Sequence, residues 1–204
     1  ASLDDPLDDY LPAGSKAPTF EGQRILLKHI VTHTSGLPVV PDFSTAKSME
    51  NPYAQVDVAS VLKTLSAAKL TRAPGTQYEY SNYAMMLLSA MIARRAGSDF
   101  ETLMRTRLFA PAGMDGAFIN QKPPGIRLVQ GHTPNGQPAS AWSFQTDVSG
   151  VGGVKARLDD MVRYLQAQLG QNVSSITPAL RLSQQPVITA SPVPMAMNWM
   201  LAPL

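Results

Sequence analysis

Apolar positions recur with helical spacing through much of this chain and give way to a shorter rhythm in one stretch. From Arg24 to Thr34, Leu26, Leu27, Ile30 and Val31 fall on one face, and Gly36 is placed to close the helix. Pro38 and Pro41 follow, so residues 37–51 are expected to be irregular. Asp57 is a candidate N-cap for a helix that buries Val58, Val61, Leu62 and Leu65. The longest apolar stripe is Ala84, Leu87, Leu88, Met91 and Ile92. Its helix starts beside Ser81, carries Arg94 and Arg95 at its negative end, and stops at Gly97. Asp99 then caps a helix through Phe100, Leu103, Met104 and Leu108, terminated by Pro111.

From Ala117 to Trp142 the pattern predicts short strands, with Asn135-Gly136 as a hairpin turn. A bend at residues 150–153 leads into a helix with Leu158, Met161, Val162, Leu165 and Leu169 inward and Gly170 as its stop. Thr177-Pro178 opens a last short helix through about Gln184, and Met195 to Leu201 reads as a strand. At the start, Leu3 to Pro12 is acidic and reads as a turn and a short extended run, followed by a polar loop to Gly22. The expected architecture is mostly α with a small antiparallel β element, in one unit spanning 1–204. Strands grouped together, rather than alternating with helices, argue against a doubly wound sheet.

Composition narrows the function more than the fold. A hydrophobic content of 44% with 16% charged residues suits a globular chain, and 204 residues can bury a core. A formal charge of +2 without basic runs gives no case for nucleic acid or an anionic membrane. With no cysteine, disulfides, thiol catalysis and zinc–thiolate sites are excluded. The run from Ala84 to Ala93 is too short to span a bilayer. No signal-peptide pattern precedes Leu3, and the opening Leu-Asp-Asp-Pro reads as if cut from something longer.

Most chemical motifs fail on their own terms. The aspartates of Leu3 to Pro12 lack the spacing and glycine of a calcium loop. His29 and His33 lie four apart, but the Glu of a zinc motif is missing, and two surface histidines on a helix are the better account. The ten methionines read as packing. Residues 150–155 lack the spacing of a phosphate-binding glycine motif, and no Gly-x-Ser-x-Gly occurs. No cofactor or metal is expected. Ser-x-x-Lys, which can place a desolvated amine one helical turn from a serine nucleophile, occurs at Ser44–Lys47, Ser60–Lys63 and Ser66–Lys69. All three are expected to face water, where a lysine keeps a pKa near 10 and is a poor base at neutral pH. Tyr80-Ser81-Asn82 is different. It stands at the mouth of the longest helix, and an extended backbone there would point Tyr80 and Asn82 toward one spot.

Five segments in order resemble a family. They are Leu3-Asp-Asp-Pro with Tyr10-Leu-Pro, Leu26 to Pro38 containing His-Thr-Ser-Gly-Leu-Pro, Ala73-Pro-Gly-Thr with Tyr80-Ser-Asn-Tyr, Pro111-Ala-Gly-Met, and Gly152-Gly-Val-Lys with Asp160-Met-Val-Arg-Tyr. Together they resemble the class C serine β-lactamases and the related penicillin-binding proteins and esterases. The resemblance implies a periplasmic hydrolase that attacks a small β-lactam or D-alanyl-D-alanine amide through an acyl-serine. Tyr80 would relay protons between nucleophile and leaving nitrogen, and Asn82 would orient the substrate's acyl side chain. The family's Ser-x-x-Lys precedes the Leu-Asp-Asp-Pro segment and its Lys-Thr-Gly strand follows the region ending at Leu204. These residues are therefore expected to be the helical region of the fold without most of its α/β sheet, inactive alone and able to self-associate through exposed apolar surface. Val40 and Gly152 stand where class C enzymes carry a glutamine and a tyrosine of the side-chain pocket. That difference favours a peptidase or an esterase of the same fold over a cephalosporin-optimised lactamase. A non-catalytic helical binding module is the alternative.

Overall fold

The computed structural model describes residues 2–44, 46–188 and 194–202, so Thr45 and the ends of the unit, Ala1 and Leu204, lie outside the description. Helices dominate its regular structure: α1 (Leu27–Val31), α2 (Val58–Ala67), α3 (Asn82–Ala96), α4 (Phe100–Met104), α5 (Leu158–Gln168) and α6 (Thr177–Ser183). The one sheet among the described residues pairs β1 (Gly131–His132) with β2 (Pro138–Ala139), antiparallel, across the Asn135-Gly136 turn.

Helix α3 is the axis of the core. Tyr83, Ala84, Met86, Leu87, Ala90 and Met91 are buried along it, against α1, α2 and α4 and a 3₁₀ turn over Thr146–Val151. Ser81 caps it by accepting the Ala84 N–H at 2.9 Å, and Gly97 ends it in the left-handed conformation (φ 63°). Ser89, the polar break in the apolar run, receives the Gly150 N–H at 3.2 Å. A Cβ on Gly150 would sit 2.7 Å from the Ser89 Cβ, so only glycine lets the turn close this tightly on the helix. Asp57 and Asp99 cap α2 and α4 as expected, accepting N–H groups of Ser60 and Thr102. These bonds hold both carboxyls below the usual carboxylate range.

Several expectations are corrected. The helix expected over residues 24–34 is only Leu27–Val31. Leu26 is extended because its strand-like neighbourhood pairs with the start of the chain, Leu7 N–H donating to Ile25 O at 2.8 Å and Leu27 N–H to Asp5 O at 3.0 Å. Its far end turns at His33 (φ 54°), ahead of Gly36. In the opening segment, Leu7–Tyr10 forms a 3₁₀ turn rather than an extended run. Between Ala117 and Trp142 only the hairpin and a single bridge, Phe118 to Lys155, have β pairing. Met195 is buried but Met195 to Leu201 is bent, with isolated bridges in place of a strand.

The largest correction concerns α5. It forms where the periodicity places it, but its apolar stripe faces outward: Leu158 is 79% exposed and Leu169 73%, with Met161, Val162 and Leu165 also exposed. What α5 buries is Ala167 and the carboxylate of Asp160. Burial alone would raise the Asp160 pKa, but bonds from Arg157 and the Gly116 N–H outweigh it and hold the group ionised. No helix among the described residues is long and apolar enough to cross a membrane.

Candidate active site

The N-terminus of α3 is tied to the segment before it. The Ser81 hydroxyl donates to Pro38 O at 2.6 Å, and the Tyr83 N–H donates to Val39 O at 3.3 Å. Ser81 is extended (φ −134°, ψ 106°), and its N–H donates to Nδ1 of His33 at 3.2 Å.

His33 and His29 are the residues that the sequence reading placed wrongly, since both are buried. His29 Nδ1 accepts the Leu26 N–H at 3.1 Å, and burial, with Lys28 beside it, lowers its pKa to about 4. Burial also lowers the pKa of His33. Each ring accepts a backbone N–H at Nδ1 and is therefore a neutral imidazole protonated at Nε2. The His33 ring lies 4.6 Å from that of Tyr80, tilted by 40°, and 5.9 Å from Tyr78, edge-on. Residue order carried no signal for this, because the unbroken burial from His29 to Ser35 comes from the packing of distant segments around it. Among the described residues no group of three histidines or carboxylates could hold a metal ion.

Tyr80 and Asn82 leave Ser81 for different surroundings. Tyr80 rests on His33 and is 51% exposed. Asn82 opens into a cavity of about 350 Å³, lined also by Tyr53, Trp142, Phe144, Gly152 and Lys155. Its Nδ2 donates to the Tyr53 hydroxyl at 3.0 Å. Tyr53 is carried by a 3₁₀ turn at Pro52–Gln55 and packed between Phe43, Phe144 and Trp142, with ring centroids 5.1–5.3 Å away. Asn51 holds the Trp142–Phe144 segment in place by bonding both the hydroxyl and the N–H of Ser143. Gly152 lines the cavity, and a Cβ there would meet open space. Val40 is exposed, next to the residue that bonds Tyr83, and lies outside the cavity lining, as Tyr80 does. Of the four site residues expected from the sequence, the structure thus brings Asn82 and Gly152 into one cavity. It adds Tyr53, Trp142 and Phe144, which nothing in the sequence had singled out, and Lys155, which the Gly152-Gly-Val-Lys segment contained without a role.

None of the three Ser-x-x-Lys pairs has the desolvated lysine that a serine nucleophile needs. Lys47, Lys63, Lys69, Ser44 and Ser66 are exposed, and the Ser60 hydroxyl is spent on the Asp57 carboxylate at 2.7 Å.

Residues 1–203 match the sequence profile of the Beta-lactamase family. The chain belongs to that family. Over 174 residues, 83% of this chain, it is 32% identical to the D-alanyl-D-alanine-carboxypeptidase/endopeptidase AmpH of Escherichia coli, of which the match covers 43%. The chain thus spans less than half the length of its curated relatives. Among solved structures, the D-alanine carboxypeptidase AmpC of Burkholderia cenocepacia superposes with a TM-score of 0.74 at 27% identity, covering 98% of this chain and 52% of that one. A β-lactamase/D-alanine carboxypeptidase of Yersinia pestis gives 0.75 at 23% identity, with 100% and 61% covered. At that identity the second likeness speaks for the fold: this family member is a mostly helical part of the β-lactamase fold.

Proposed function

We propose that these residues form the helical wall of a penicillin-binding serine hydrolase. It would act on the amide of a β-lactam or a D-alanyl-D-alanine peptide, in the periplasm, through an acyl-serine whose nucleophile lies outside this segment. In this reading Asn82 orients the acyl side chain of the substrate. Tyr80 relays a proton between the nucleophile and the leaving nitrogen. The observation that carries the reading is the Asn82 amide, fixed by Tyr53 and opening into an aromatic-walled cavity at the N-terminus of the core helix. The carboxypeptidase names of the relatives favour a peptidase over an esterase of the same fold. The open space at Gly152 suits a side chain bulkier than a tyrosine-narrowed pocket would admit. Val40 would sit at the rim.

A protein carrying this segment together with a Ser-x-x-Lys should form a covalent adduct with a labelled penicillin. Tyr80→Phe should slow labelling by at least about tenfold, the low end for loss of a proton relay. A parent that stays unlabelled would overturn the penicillin-binding reading. Rapid turnover of short p-nitrophenyl esters without labelling would select the esterase.

The exposure of all three Ser-x-x-Lys lysines supports a second statement: the 204 residues alone do not turn over substrate and act at most as a binding module that can self-associate through α5. Labelling of the isolated chain by the same penicillin would sink it.

A further inference from the structure

Lys155 is held from two sides before any ligand arrives. Its backbone pairs with Phe118, N–H to O at 2.8 Å and O to N–H at 2.9 Å. From there its ammonium donates to Ile119 O at 2.7 Å and to Gly153 O at 3.3 Å, beside the Phe118 ring. An ammonium has three donors, so one remains. Among the described residues no carboxylate forms an ion pair with it. The acidic group whose charge bears on it, Glu101, is spent on the backbone N–H groups of Ile119, Asn120 and Gln121 at 2.8–2.9 Å. The side chain is half-buried, and that burial pulls its pKa below the ordinary lysine value. A cation in this position is incompletely solvated and forms no direct ion pair, although the nearby Glu101 charge favours its protonated form.

The same residue lines the cavity with Asn82. There Tyr53, 4% exposed, accepts the Asn82 amide and keeps its own O–H proton for another acceptor. The Asn82 carbonyl oxygen is an acceptor on the same wall, and Trp142 and Phe144 supply apolar faces. The site therefore offers one acceptor, two donors of which one is cationic, and an aromatic slot.

We propose that this cavity selects acyl groups that end in a carboxylate, with Lys155 as the residue that recognises the anion and the Trp142–Phe144 wall covering the body of the chain. The proposal rests on reading Asn82 as the group that meets the substrate's acyl side chain. It names the kind of side chain that fits: an amide-linked chain with an apolar stem and a terminal negative charge.

Binding requires no nucleophile, so the test is independent of whether the parent is a peptidase or an esterase. The probes are the monobenzylamide of glutaric acid, which carries a free carboxylate, and the neutral diamide of the same length. Trp142 fluorescence is followed in a Trp199→Phe background. The acid should bind about tenfold more tightly than the diamide, the worth of one charge-assisted contact. Lys155→Gln should abolish the difference while leaving diamide binding in place. Because the substitution also disturbs the Ile119 contact, Lys155→Arg provides the control: it should restore the preference for the acid. Equal binding of the two probes by the unmodified chain, or a preference that survives Lys155→Gln, would overturn the proposal. So would a preference that Lys155→Arg fails to restore in a variant with unchanged circular dichroism. A preference for the acid, lost with Lys155, in a parent that no penicillin labels would retain the pocket and discard only the penicillin-binding reading.

Discussion

Helices α3 and α5 carry apolar stripes of similar length and spacing, yet one is the centre of the molecule and the other lies open to water. In α3 the stripe meets α1, α2, α4 and the Thr146–Val151 turn, and Leu87 is fully buried. Helix α5 meets α6 and packs Tyr164 against Phe109, Met114 and Ala117, while Leu158, Leu165 and Leu169 remain exposed. Periodicity reports that a helix has an apolar face. It carries no information on what covers that face, because coverage is a property of distant segments. The polar residues, by contrast, behave alike in the two helices. Ser89 in α3 and Asp160 in α5 are both buried, each by a backbone N–H from a far part of the chain, and both sit off the apolar pattern.

The largest test of the contrast is a matched pair of truncations in the isolated chain. Leu87→Ala should cost about 2–5 kcal/mol in urea unfolding, since it leaves a cavity among fully buried neighbours. Leu165→Ala should change stability by no more than about 0.5 kcal/mol, as an exposed substitution does. A comparable loss at Leu165 would mean that α5 is covered in solution.

A second test uses acid. The His29 pKa in the folded chain is lowered to about 4, against about 6.5 when unfolded. Between those values the unfolded state binds the proton and the folded state does not, so stability is present above about pH 6.5 and is lost as pH falls toward 4. The full window is worth on the order of 3 kcal/mol. His29→Gln should flatten this part of the stability–pH curve, whatever it does to stability at pH 7. An unchanged slope would show that His29 is not buried in solution as it is in the structure.

A smaller loss than at Leu87 or His29 is expected at the helix mouth. Ser81→Ala removes the acceptor for the Ala84 N–H and the donor to Pro38 O, and should cost about 1–2 kcal/mol. Replacing Arg157, which bonds Asp160 but supplies no side-chain cap at the start of α5, would not substitute for this experiment, because it strands a buried carboxylate.

Much of the local structure was legible in residue order. Asp57, Ser81 and Asp99 cap the helices they precede, Gly97 stops α3, and Asn135-Gly136 turns the hairpin. These features depend on hydrogen bonds within three or four residues, which a sequence contains complete. The ends of α1 were not legible, because the pairing of Ile25 and Leu26 with the first residues of the chain and the left-handed turn at His33 override an apolar face of the right spacing. Nor was the hidden state of His29 and His33, whose shared spacing suggested a helix surface.

For the site the division is sharper. Tyr80-Ser81-Asn82 could be picked out from residue types and order, and five segments in sequence carried the family resemblance, through which alone Gly152 was named. That Asn82 enters a cavity while Tyr80 lies on His33 was decided only by the tertiary structure, as was the choice of Tyr53, Trp142, Phe144 and Lys155 to complete the wall. The physical reason is range. Capping, turns and helical faces are set by neighbours a few residues apart. A cavity is made by segments that sequence separates, here residues 53, 82, 142–144 and 152–155, and only packing around α3 brings them together.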